Sequence, residues 1–313
     1  MKYDHPLLVV VVGPTGSGKS DLVAKLVETA GNTIISADSM QVYRYMDIGT
    51  AKPSLEERKN LDYHLLDVVN PDEEFSAAAF LPLAQQVIEA RKYADEPIYV
   101  VGGTGLYVKI LLGGIIDGPG PDKELRAGYK TIAAQKGRKI LYEILQERDP
   151  EAARQINSHD MVRIIRALEV LELTGVSIVR KQKEHGFQEK PYRYLKIGIN
   201  ANREALQERI NRRVDAMMTM GLADEVNDLL GRGYSATLKS MQSLGYRHMV
   251  HYLNNDWTRE EAVDAMKRDT WHYAKRQMTW FKKDHEIQWY DIHHLGEIIH
   301  AIDSWREKNR GNR

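Results

Sequence analysis

Residues 13–20 read GPTGSGKS, directly after the apolar run LLVVVV at 7–12. Gly13, Gly18, Lys19 and Ser20 match the spacing G-x-x-x-x-G-K-[ST] between a strand and a helix, the context in which that spacing makes a phosphate-binding loop. Gly13, Pro14, Thr15, Gly16, Ser17, Gly18, Lys19 and Ser20 form a loop whose backbone N–H groups, Pro14 having none, gather at a helix N-terminus as an anion nest. Lys19 adds a point charge on the phosphate oxygens, and the Ser20 hydroxyl can ligand Mg²⁺. The pattern specifies a diphosphate and leaves its owner open: a nucleoside triphosphate or some other diphosphate. An ATPase or GTPase of this class carries an Asp for Mg²⁺ at the end of a second buried strand, but here PIYVV (97–101) runs into Gly102-Gly103-Thr104-Gly105. The acid stands elsewhere, as Asp38 in SADSMQ, after the strand pattern at 33–36. A carboxylate at the C-terminal end of such a strand faces the ligand crevice of an α/β sheet. Read without function, the same groups are a glycine-rich turn, a helix-capping carboxylate and a strand-end turn. Other combinations carry less. GGTG lacks the third glycine of a dinucleotide fingerprint, no serine-hydrolase elbow is present, and His248 with His251, or His293 with His294, lack a third metal ligand and read as surface histidines.

The elements that must hold these groups follow from pattern. Leu7–Val12 is β-branched and apolar on both faces, as in a central strand of a parallel sheet. Lys19–Ala30 reads as a helix, Thr33–Ser36 as a second strand ending at Ala37-Asp38, Pro97–Val101 as another buried strand, and Gly105–Leu112 as a helix. This alternation predicts a right-handed, three-layer α/β core. At 116–124 the sequence IDGPGPDKE marks a boundary. From Lys123 to about Glu184 only helical periods occur, among them Lys139–Arg148 and Met161–Thr174, with Gly175 as a stop. The strand pattern returns at 194–200, followed by helices. Thr258-Arg259-Glu260-Glu261 is a capping-box signature for a long helix to about Lys283; a last strand, Ile287–Tyr290, and a terminal helix, Leu295–Trp305, close the chain. The expected organisation is a core of residues 1–117 and 193–313 with an inserted helical domain at 118–192.

The bulk numbers bound the function. Length 313 predicts roughly two domains. Lys plus Arg and Asp plus Glu are 44 each, so any nucleic-acid surface is a local patch and not a global field. With no cysteine, disulfides, thiolate metal sites and Cys nucleophiles are excluded. The six-residue apolar run is too short for a secretory core or a membrane span, so a cytoplasmic protein is expected. The insert holds 14 Lys and Arg against 11 Asp and Glu, a net of only +3. On the long helix Arg268, His272, Lys275, Thr279 and Lys282 step by four and three and share one face, with Tyr273 and Trp280 on another. That face either tracks phosphates or is a solvated face over a core stripe. Three functions remain open on residues alone: a transferase acting on another diphosphate, a P-loop small-molecule or nucleotide kinase, and a nucleotide-gated RNA-binding protein.

Several blocks together resemble the tRNA dimethylallyltransferase (tRNA isopentenyltransferase) family: ADSMQVYRYMDIGTAKP (37–53), YHLLDVVNPDEEFSAAAF (63–80), VVGGTGLYVKIL (101–112), RIIRALEV (163–170), RINRRVDAMMTMGLADEV (209–226), SMQSLGYR (240–247) and YAKRQMTWF (273–281). One departure is Arg247-His248, where the family often has Lys-Glu. The resemblance implies a P-loop NTPase-like parallel-sheet core with an inserted all-helical domain and a helical C-terminal region. It implies transfer of a dimethylallyl group from dimethylallyl diphosphate to the exocyclic amine of the adenosine 3′ of the anticodon, in tRNAs reading codons that begin with U. The phosphate loop then holds the donor's diphosphate together with Mg²⁺, and ATP is not needed. Asp38 becomes the general base, Thr104 a hydrogen-bonding partner near it or the diphosphate, Arg213 a further cation, and Ser39, Met40 and Gln41 contacts to an extruded base. Arg126, Val162, Arg163, Ile164, Ile165 and Arg166 are implied tRNA contacts. A monomer is expected.

Overall fold

The computed structural model describes residues 7–27 and 33–310. The elements in chain order are β1 (Leu8–Val12), α1 (Lys19–Val27), β2 (Thr33–Ser36), α2 (Leu55–Asn60), β3 (Asp62–His64), α3 (Ala77–Ala90), β4 (Ile98–Gly102) and α4 (Gly105–Gly113). Five helices follow: α5 (Lys123–Lys136), α6 (Lys139–Arg148), α7 (Pro150–Gln155), α8 (Met161–Thr174) and α9 (Ile178–His185). Then come β5 (Tyr194–Asn200), α10 (Arg203–Thr219), α11 (Leu222–Gly231), α12 (Tyr246–Leu253), α13 (Arg259–Phe281), β6 (Ile287–Asp291) and α14 (Leu295–Arg310). The strands form one six-stranded sheet in the order β3-β2-β4-β1-β5-β6, and all their pairings are parallel.

The sheet belongs to a unit made of the chain up to Leu112 and from Pro191 onward. β1 lies between β4 and β5 and is buried along its whole length, which is why its five residues, LVVVV, carry no polar face. Val9 and Val11 pack with Leu22, Val23 and Leu26 of α1 and with Ile298 and Ile302 of α14. The register places Val12 beside Gly102, and Ser36 beside Val101. The loops after β1, β2 and β4 therefore leave the same edge of the sheet. The second unit, Gly113–Lys190, holds α5–α9 around its own core of Leu141, Leu145, Ile164 and Leu168.

Some expectations need adjusting. The helix read as Lys19–Ala30 is described to Val27, and residues 28–30 lie outside the described residues. β3 was not read from sequence: it is a three-residue edge strand, DYH, only half buried, so it shows neither an apolar run nor a clean alternation. His248 is not at the surface. It is fully buried, accepts a hydrogen bond from the Gly245 N–H at 3.2 Å and lies 3.2 Å from the Asp269 carboxylate. Burial lowers its pKa to about 4, against the Asp269 hydrogen bond. The Thr258–Glu261 capping box and the Gly175 stop, in the left-handed region at φ 69°, are both formed.

Candidate active site

Three strand ends build the site. After β1 the chain enters the loop Gly13–Ser20. Gly18 has φ +86°, a conformation that side chains with a Cβ rarely adopt, and a Cβ there would stand 2.2 Å from Ile292 Cδ1. After β2 comes Asp38, whose Oδ1 accepts from the Met40 N–H at 2.8 Å. After β4 comes Thr104, whose N–H donates to the Ala37 carbonyl (3.2 Å) and whose Oγ1 accepts from the Ser39 N–H (3.0 Å). Thr104 thus grips the backbone on both sides of Asp38.

Asp38 lines one cavity of about 340 Å³, together with Thr15, Lys19, Ser20, Ser39, Met40, Gln41, Gly103 and Arg213. Thr104 is not part of that lining and bears on the site through its hydrogen bonds to Ala37 and Ser39. The cavity's electrostatics are those of a half-buried cation pair facing a carboxylate. Lys19 is lowered from 10.5 to about 8 by burial, then by the neighbouring Arg213 guanidinium, with Asp38 opposing. Burial likewise lowers Arg213, against the charges of Asp38 and Asp21. The Lys19 ammonium donates to the Pro14 carbonyl at 2.8 Å, so it is folded back over the loop. An anion placed in the cradle would relieve the repulsion between Lys19 and Arg213. Tyr273, raised to about 12 by burial and the Asp38 charge, lines the same cavity as a neutral hydroxyl.

Gln277 was missed from sequence. Its Oε1 accepts from the Thr15 N–H at 2.8 Å and its Nε2 donates to the buried Gly103 carbonyl at 3.0 Å, so one carboxamide ties the phosphate loop to the end of β4. Gly103 must be glycine for this contact, because a Cβ would come within 2.1 Å of Gln277 Nε2. The available signal was a polar residue on the core stripe of α13, where Thr270, Ala274, Gln277 and Phe281 recur at helical spacing and are all buried. On the opposite face Arg268, His272, Lys275, Thr279 and Lys282 are all exposed.

The predicted RNA contacts divide. Gln41 lines the cavity, but its carboxamide is engaged with the chain: Oε1 accepts from Ser36 Oγ (2.8 Å) and Nε2 donates to the Ala51 carbonyl (3.2 Å). In the helical unit, Val162 and Arg163 are exposed, whereas Ile164 and Ile165 are 0% and 8% exposed and belong to the unit's core. The run Val162–Arg166 is therefore not one contact surface; the turn of α8 points its two isoleucines inward. Arg126 holds Glu169 through Nε (2.7 Å) and NH2 (2.9 Å), and Arg166 reaches the same carboxylate at 2.5 Å. Burial would raise Glu169, but those hydrogen bonds and the Asp122 N–H hold it at about 2. Both arginines are half exposed around a buried carboxylate that neutralises part of their charge. Among the described residues no group of three or more His, Asp or Glu could hold a metal unaided, and no helix is long and apolar enough to cross a membrane.

Residues 41–284 match the family model described as IPP transferase. The chain is 50% identical over 296 residues to "tRNA dimethylallyltransferase 2" of Syntrophus aciditrophicus (strain SB), covering 95% of each chain. The solved full-length tRNA isopentenylpyrophosphate transferase of Bacillus halodurans superposes with a TM-score of 0.71 at 37% identity, over 97% of this chain and 98% of that one. A eukaryotic dimethylallyltransferase solved acting on tRNA gives a TM-score of 0.75 at 26% identity, over 92% of this chain and 74% of that one. With its parallel P-loop sheet, its cation-lined cradle and this breadth of similarity, the chain belongs to the IPP transferase family.

Proposed function

We propose that this protein transfers a dimethylallyl group from dimethylallyl diphosphate to N6 of the adenosine 3′ of the anticodon, in tRNAs reading codons that begin with U. The observation that carries the reading is a single cavity in which a phosphate loop with two electrostatically strained cations meets one carboxylate, Asp38. The donor's diphosphate seats in the Gly13–Ser20 loop, with Lys19 and Arg213 closing on it. As the allylic C–O bond breaks, its electron pair stays on the diphosphate, and donors aimed at that oxygen stabilise the developing charge. The adenine N6 attacks the allylic carbon, and its proton passes to Asp38. Thr104 holds the Asp38 loop rigid, and Gln277 keeps the phosphate loop in register with β4.

Mg²⁺ fits the oxygen-only donors at the loop, where Ser20 would hold it alongside phosphate oxygens; such an ion supplies charge neutralisation on the leaving group. The acceptor base must leave its stack to reach the cavity. The exposed face of α13 tracks RNA phosphates, and Arg126, Arg163 and Arg166 of the helical unit, Gly113–Lys190, make further tRNA contacts. The protein acts as a monomer in the cytoplasm. Incubation with labelled dimethylallyl diphosphate or labelled ATP and an anticodon stem-loop tests the reading. Label passing from the prenyl donor to RNA supports it; ATP turnover without prenyl transfer returns the assignment to a kinase.

A further inference from the structure

Three of the motifs that carry the family likeness have no part in the chemistry above: MDIGT at 46–50, GLADEV at 221–226 and LGYR at 244–247. They meet at one side chain. Glu225 Oε2 accepts from the Asp47 N–H (2.9 Å) and the Ile48 N–H (2.7 Å), while Oε1 accepts from the Gly49 N–H (3.2 Å) and the Tyr246 hydroxyl (2.6 Å). Three consecutive backbone donors form an anion nest, and the protein fills it with its own carboxylate. The fit is close on every side. A Cβ on Gly49 would stand 2.4 Å from the Tyr246 ring, and Tyr246 is fully buried.

The pinned segment is a wall of the reaction cavity. Gly49, Thr50 and Ala51 line it, and Ala51 and Pro53 also line an adjoining groove of about 540 Å³, so the segment separates the two spaces. Ala51 sits at φ +46°, a left-handed conformation that is strained for a non-glycine residue and persists only where its surroundings over-determine it. The Ala51 carbonyl is held by Gln41, three residues from Asp38. A path of hydrogen bonds therefore runs from Glu225 to the 47–49 amides and, one turn on, from the Ala51 carbonyl to Gln41 and Ser36, in the segment that carries Asp38.

We propose that Glu225 is a positioning residue for the acceptor side of the cavity: by filling the nest of Asp47, Ile48 and Gly49 it fixes Gly49–Ala51 as the wall against which the unpaired base is seated. The inference rests on the proposed transferase reading. It predicts a selective effect, because the phosphate loop is held by Gln277 and not by this node.

The test combines kinetics with hydrogen exchange on Glu225→Gln, Glu225→Ala and Tyr246→Phe. The KM for an anticodon stem-loop rises about tenfold or more in Glu225→Ala and a few-fold in the other two, while the KM for dimethylallyl diphosphate stays within about twofold. Glu225→Gln is the partial rescue, since its Oε1 can still accept from Asp47 and Ile48 while its amide donates to the Tyr246 hydroxyl. Exchange of the 47–49 amides accelerates in the same order. Equal rises in both KM values, or a lowered melting temperature with both KM values unchanged, would reduce Glu225 to a stability anchor. Unaccelerated exchange at 47–49 overturns the proposal whatever the reaction. Absence of prenyl transfer by the unsubstituted protein counts against the functional reading alone, and exchange still judges the node. If Glu225→Ala does not fold, the two milder variants decide.

Discussion

Lys19 gives a prediction with a worked magnitude. In the ligand-free protein its pKa is about 8, displaced from 10.5 by burial and by Arg213. A bound diphosphate is an opposite charge in contact with the ammonium, and it favours the charged form. The complex therefore titrates higher than the free protein, and above pH 8 donor binding takes up a proton. The sign follows: affinity is flat below about pH 8 and falls as pH rises through it. Each pH unit above that point lowers the protonated fraction about tenfold, or about 1.4 kcal/mol of binding. If the diphosphate restores the ordinary 10.5, the loss levels off there, at roughly two to three powers of ten. The assay is calorimetric titration with a non-reactive thio-analogue of the donor between pH 7 and 10, in buffers of different ionisation enthalpy to count protons. Lys19→Met binds weakly at every pH and retains only the ligand's own titration, so the difference between the two profiles isolates Lys19. A difference without slope between pH 8 and 9, or proton uptake unchanged in Lys19→Met, would refute the placement of the ammonium on the phosphates.

Replacing Asp38 with Asn removes the base and keeps the Met40 cap; transfer falls about 10²–10⁴-fold while stem-loop affinity, read by filter binding, stays within about twofold. Gln277→Met strands the Thr15 N–H and the Gly103 carbonyl at about 1–3 kcal/mol each, so the donor KM rises and the melting temperature drops; an unaltered donor KM would remove Gln277 from the account. Lys275→Glu and Lys282→Glu weaken RNA binding without touching donor KM, and each reduces the slope of log affinity against log salt by about 1. Glu169 is held at about 2, below its ordinary 4.5, so its contribution to folding is present above pH 4.5 and is lost as pH falls from there toward 2. Acid titration of helicity in Glu169→Gln should lack that part of the transition.

Much of this site was legible before any coordinates because its parts are local. A phosphate loop is a strand, a glycine turn and a helix start in one continuous segment. Asp38 and Thr104 announce themselves as the polar residues just beyond buried strands. What escaped was pairing across distance. Gln277 is separated by 262 residues from the amide it caps, and Glu225 by 176–178 from the three it fills. Each lies on a helix where, in isolation, it reads as an ordinary polar residue. His248 escaped for a related reason: Asp269 and the Gly245 amide give it buried partners that no local pattern reveals. Within Val162–Arg166 the family motif is contiguous, but helical periodicity already separates Ile164 and Ile165 from their neighbours, and their burial follows from it.

The central claim is that the Gly13–Ser20 cradle holds the leaving diphosphate of a prenyl donor beside Asp38. A crystal structure with the thio-analogue of dimethylallyl diphosphate and an anticodon stem-loop tests it most directly. The account predicts both phosphorus atoms against the loop amides with Lys19 and Arg213 in contact, and the extruded adenine N6 within hydrogen-bond reach of the Asp38 carboxylate. Phosphorus atoms bound elsewhere, or an adenine amine facing away from Asp38, would contradict it.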